Sequence, residues 1–96
     1  MQKYEAIYIL PTSMSDQEVQ EFADRYKGVV ESHGGKVESA AKWETRELAY
    51  EINGHHHGHY VIMNFESDGP CQHELKRQFG INDQIIRNRI FAVEQE

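Results

Sequence analysis

The chain has 96 residues, 39% apolar and 27% charged, the size and balance of one small globular domain over 1–96 with a thin core, since so short a chain buries only about 60–68% of its unfolded surface. No run of about 18 apolar residues occurs and Lys3 and Glu5 interrupt the apolar start, so neither a spanning helix nor a signal peptide is expected, and a soluble, intracellular protein without a membrane partner is predicted. Sixteen acidic against ten basic residues give a net charge of -6, which argues against indiscriminate binding to nucleic acid while leaving room for a local basic face.

Residues 1–10 alternate, with Tyr4, Ala6, Tyr8 and Leu10 on one side and Lys3, Glu5, Ile7 and Ile9 on the other, which predicts a strand with one fully apolar face, ended by Pro11. Ser15-Asp16-Gln17-Glu18 has the spacing of a capping box and starts a helix. Its stripe is Val19, Phe22, Ala23, Tyr26 and Val30, opposed by Gln17, Glu21, Asp24, Lys27 and Glu31. Gly34-Gly35 stops it. Residues 36–53 form an extended stretch longer than an ordinary strand, so a bend or bulge is expected near 43–45. The glycine-bracketed segment 54–58 is expected to reverse the chain, and 59–66 alternates again with Val61, Met63 and Phe65 on one side, completing a hairpin. Asp68-Gly69-Pro70 is a second helix start, with Leu75 and Phe79 as its apolar pair and Gly80 as its stop. Residues 85–93 read as a last strand before a polar end at 94–96.

The order is β-α-β-β-α-β, an α+β chain of the ferredoxin-like type. Each helix has one apolar stripe, so both pack on one face of a four-stranded antiparallel sheet and the other face is left open.

A single cysteine, Cys71, forbids an internal disulfide and agrees with a reducing compartment. With no base or orienting partner beside it, it reads as a small buried side chain.

Two groups of residues carry possible chemistry. In Gly54-His55-His56-His57-Gly58-His59 the imidazoles of His55, His57 and His59 would share one side of an extended backbone, and imidazole suits Zn, Cu or Ni. No Cys or acidic residue completes the set at a recognised metal spacing, so a solvated turn without a cofactor is the expectation. The second group is basic residues among aromatics. Arg87 and Arg89 stand two apart and share a face with Ile85 and Phe91, while Ile86, Ile90 and Ala92 take the core side. From Leu75 to Ala92 the balance of Lys76, Arg77, Arg87 and Arg89 over Asp83 is +3, a polarity suited to presenting one face to phosphates. Neither a glycine-rich phosphate cradle nor a carboxylate pair in an apolar cleft is evident, so no enzyme and no small-molecule substrate are expected.

The run from Trp43 to Ile52, with its Arg46-Glu47-Leu48-Ala49-Tyr50-x-Ile52 core, followed by His59-Tyr60-Val61-Ile62-Met63-Asn64-Phe65-Glu66, resembles the bacterial small-subunit ribosomal protein 6 family. Tyr4-Glu5 and Asn82-Asp83-x-Ile85-Ile86-Arg87 extend the resemblance over nearly the whole chain. The resemblance implies the same β-α-β-β-α-β fold and a non-catalytic, cytoplasmic component of the small ribosomal subunit. That component binds the central domain of small-subunit ribosomal RNA together with small-subunit ribosomal protein 18. Carried over position by position, it implies RNA contacts at Lys3, Arg46 and Arg87, with Tyr4, Lys42 and Arg89 as neighbours. Leu48, Tyr50 and Ile52 read as sheet and core packing. Glu44, Thr45 and Glu51 depart from the glycine, basic residue and proline usual in the motif, and Gln2 from a frequent basic residue, so the local positive potential is lower than is usual.

A rival from another class is a ferredoxin-like regulatory dimer that pairs through its open sheet face and binds a metal or small ligand at the hairpin of His55 to His59, since one fold hosts unrelated activities. An acylphosphatase-type enzyme needs a glycine-rich anion loop after the first strand, where this chain has Pro11-Thr12-Ser13-Met14.

Overall fold

The computed structural model describes residues 1–93 and follows the order β1 (Gln2–Pro11), α1 (Asp16–Ser32), β2 (Lys36–Ile52), β3 (His55–Ser67), α2 (Gly69–Gly80) and β4 (Arg87–Ala92). The strands make one sheet of order β2-β3-β1-β4, antiparallel at every pairing. This is the ferredoxin-like arrangement expected from the periodicities. The polar end expected at 94–96 lies outside the described residues.

Local chemistry sets the helix ends. The Glu18 amide donates to Ser15 Oγ at 3.2 Å and the Ser15 amide to Glu18 Oε1 at 3.1 Å, the reciprocal pair of a capping box, and losing such a cap costs about 1 kcal/mol. Asp68 caps α2 by accepting from the Cys71 amide at 3.0 Å. After α1 the chain turns at Gly34, φ 84°, and Gly35 then passes so near the helix that a Cβ there would stand 2.5 Å from Val30 Cγ1.

The core fills the space between the helices and one sheet face. Ala6, Tyr8 and Leu10 of β1 and Val61, Met63 and Phe65 of β3 meet the α1 stripe and Cys71, Leu75 and Phe79 of α2. Tyr26 and Phe79 pack edge to face at 4.7 Å between centroids, and Tyr8 leans on Phe79 at 5.0 Å. Each such side chain contributes roughly 1.5–3 kcal/mol by leaving water. Burial among these rings also pushes the Tyr8 phenol far above its ordinary pKa. Met14, from the loop after β1, joins the core.

Three details differ from the sequence reading. The hairpin reverses at Asn53 and Gly54, with φ of 49° and 82°, the left-handed pair that suits a two-residue turn between twisted strands. β3 therefore begins at His55, and the histidine run lies in the strand instead of forming the turn. β2 does bulge between Lys42 and Glu44, but its register also shifts between Val37 and Ser39 and between Glu47 and Ile52, so the long hairpin bends repeatedly. The last strand starts at Arg87: Ile85, expected on the arginine face, packs against the core, while the Ile86 amide bonds to the Ile9 carbonyl at 2.9 Å.

Candidate nucleic-acid interface

The even-numbered residues of β1 point to the helices, so its odd-numbered residues rise from the open face. There Ile7 lies between Ile62 and Arg89, and Ile9 between Tyr60 and Arg87. The middle of the open face is thus an apolar floor edged by two arginines. Gly58 belongs to that floor, because a Cβ there would collide with Ile9 Cγ2.

Each arginine on this face is backed by an aromatic ring. The Arg46 guanidinium lies 5.5 Å from the Trp43 ring and 5.2 Å from the Tyr60 ring, and those rings meet edge to face at 6.2 Å. Arg87 lies over Tyr50 at 5.3 Å and donates from Nη1 to the Tyr50 hydroxyl. Arg89 lies over Phe91 at 5.6 Å. Such pairs contribute about 0.5–1 kcal/mol each at exposed sites. They also hold the guanidinium plane, which lowers the entropy lost when it forks onto an anion. Trp43, Tyr50 and Phe91 keep 55, 57 and 37% of their surface accessible, much for rings of that size.

Of the residues expected to contact RNA, Arg46, Arg87 and Arg89 come together on this face. Lys3 shares the face but stands at its far end, six residues along β1 from Ile9, about 20 Å away. It lies 3.9 Å from both Glu38 and Glu66. Tyr4 and Lys42 belong to the opposite side. Tyr4 stacks on Phe65 at 5.5 Å, and Lys42, paired with the core residue Val61, donates to Asp16 at 3.2 Å. Arg46 holds Glu44 at 3.2 Å, whereas Arg87 and Arg89 have no carboxylate partner among the described residues. Tyr50, read from the sequence as packing, is exposed and belongs to this face. The available signal was its place in an aromatic set with Trp43, Tyr60 and Phe91, which only strand register brings together.

The histidines do not converge. His59 is buried, its Nε2 donating to the Met14 carbonyl at 3.1 Å and its Nδ1 lying 2.6 Å from the Thr45 hydroxyl. It ties the loop after β1 to the hairpin. His56 faces Glu51 at 3.7 Å. Among the described residues no three His, Cys, Asp or Glu side chains are grouped to hold a metal ion, and no helix is long and apolar enough to cross a membrane.

Residues 3–92 match the model of the family described as Ribosomal protein S6. The chain belongs to this family. The S6-family kinship runs through close relatives. The small ribosomal subunit protein bS6 of Clostridium acetobutylicum is 40% identical over 99% of this chain and 100% of its own length. That of Sinorhizobium fredii is 36% identical over 99% of this chain and 64% of its own length. The crystal structure of 30S ribosomal protein S6 from Thermotoga maritima superposes with a TM-score of 0.88 at 27% identity, covering 96% of this chain and 87% of the other.

Proposed function

We propose that this S6-family chain is a non-catalytic, cytoplasmic structural component of the small ribosomal subunit. It acts as one folded unit over 1–96 and binds the central domain of small-subunit ribosomal RNA together with small-subunit ribosomal protein 18, with no cofactor or small-molecule substrate. The observation that carries the RNA half of this reading is the open sheet face, on which Arg46, Arg87 and Arg89 each rest on an aromatic ring. A guanidinium held in this way can fork two parallel hydrogen bonds onto a phosphate, and folded RNA is read largely by shape and backbone.

The protein partner is implied by the family resemblance, and charge supports it. A chain of net charge -6 with few uncompensated cations on one face neutralises too few phosphates to bind tightly alone. A basic partner beside that face supplies the rest, so the joint surface is the binding unit. The test is filter binding of a central-domain RNA fragment with this protein, with protein 18, and with both. Saturable binding that tightens sharply with both proteins is the expected result. Absence of binding in every combination overturns the reading.

A further inference from the structure

A small apolar hollow opens on the sheet face between Arg87 and Arg89, with Ile7 and Ile9 beneath it and a volume of about 110 Å³. We propose that this hollow receives a single unstacked nucleobase of RNA, with the attached phosphate held by the two guanidinia. The proposal rests on the RNA-binding reading above and names the part of the RNA that this site takes.

Size comes first. A closed apolar cavity of about 150 Å³ holds benzene, so an open hollow of 110 Å³ takes one flat ring with its edge protruding and has no room for a base pair. Spacing agrees. Residues two apart on a strand are about 6.6 Å apart, and bases stack at about 3.4 Å, so one ring plane fits between the side chains of Arg87 and Arg89. Each guanidinium already rests on a ring of the protein, Tyr50 or Phe91, and its second face remains available for a base, a mode of stacking that arginine shares with aromatic side chains.

Charge selects the ligand class. Lys3, Lys42 and Arg46 hold carboxylates at 3.9, 3.2 and 3.2 Å, whereas Arg87 and Arg89 hold none among the described residues. An aliphatic side chain of a protein partner would fill the floor but leave both cations without a counter-charge. Duplex RNA offers phosphates but no free ring. An extruded nucleotide supplies both.

Isoleucine-methyl NMR on the full chain tests the proposal, with separate titrations of adenosine 5′-monophosphate, ribose 5-phosphate and inorganic phosphate. The expected result is a ring-current shift of the Ile7 and Ile9 methyls, which lie at the edge of the inserted ring, with the nucleotide and with neither of the other probes. In the filter assay with protein 18, R89K keeps the charge but loses the planar stacking surface, and is expected to weaken RNA binding about fivefold or more, the lower end of what one stacked base contributes. Methyl shifts that are absent, or equal for all three probes, overturn the slot, as does R89K binding RNA like the wild type. An R89K variant that loses capture of protein 18 alone, without RNA present, also overturns it by assigning the hollow to a protein side chain. Failure of the underlying reading looks different: the wild-type chain then forms no RNA complex in any combination, while the nucleotide titration still decides the slot.

Discussion

Arg87, the first residue of one outer strand, lies over the ring of Tyr50, near the end of the other outer strand, at 5.3 Å, and donates to its hydroxyl. The sheet order β2-β3-β1-β4 puts three inter-strand spacings, about 14 Å, between those edges. The two side chains meet because β2, after its register shift beyond Glu47, brings Tyr50 back over the open face. The contact joins the hairpin end to β4 and holds the Arg87 guanidinium above the floor of Ile7 and Ile9.

Removing that contact should loosen the hairpin first. Tyr50→Ala is expected to speed amide exchange across 47–57 several-fold, while global stability falls by no more than about 1 kcal/mol, the scale of an exposed cation–π pair. Tyr50→Phe, which keeps the ring and loses the hydroxyl, should lie between. Exchange rates unchanged in Tyr50→Ala would mean that the hairpin is held by its backbone ladder alone.

Arg87 is expected to act as a phosphate contact. Arg87→Ala should weaken the RNA complex formed with protein 18 and reduce the steepness of its salt dependence by about one. The check is a set of filter-binding isotherms between low and moderate salt. A parallel line for the variant would assign Arg87 to the hairpin contact only.

His59 is a structural histidine by its bonds. Thr45→Val removes the hydroxyl 2.6 Å from Nδ1 and leaves a buried ring nitrogen without a partner, which should cost about 1–3 kcal/mol in urea unfolding. Thr45→Ser restores a hydroxyl and is expected to recover most of that loss. Equal midpoints for Thr45→Val and the wild type would show that water takes over the bond.

Glu74 supplies a dependence on acid. Hydrogen bonds from Arg77 and Gln78 hold its carboxyl at about 2, below its ordinary 4.5, with Arg77 Nη2 2.5 Å and Nε 3.0 Å from its two oxygens. A depressed carboxyl favours the folded state fully above about 4.5, and this contribution is lost as pH falls through about 2. Arg77→Ala should move the Glu74 carboxyl, followed by carbon NMR, upward toward 4.5, and its stability difference from the wild type should shrink as the solution is acidified. A Glu74 titration that stays near 2 in Arg77→Ala would move the cause to Gln78.

Most of the fold was legible because its signals are short-range. The capping box at Ser15 and Glu18, the stripe from Val19 to Val30 and the alternation of β1 and β3 each depend on residues a few positions apart, and each is present as read. The turn was misread because Gly54 and Gly58 both look like breakers. Asn53-Gly54 completes the reversal by itself with two left-handed residues, and Gly58 serves instead to make room for Ile9.

The site was legible as a list of residue types and only in part as a place. Period-two spacing put Arg87 and Arg89 on one face, and the resemblance added Arg46. Tyr4 and Lys42 are neighbours of those residues in the motifs yet lie across the sheet, because their strand positions turn them toward Phe65 and Asp16.

From the chain alone came the element order, the apolar faces of β1, β3 and both helices and the presence of an open sheet face with arginines on it, since side-chain periodicity and capping are properties of neighbouring residues. Tertiary structure decided which aromatic ring backs each arginine, that Tyr50 crosses to Arg87, that His59 is bonded inside and that a hollow separates Arg87 from Arg89. Those relationships depend on strand register and on the bulges of β2, which arise from packing between segments tens of residues apart and leave no periodic mark in the sequence.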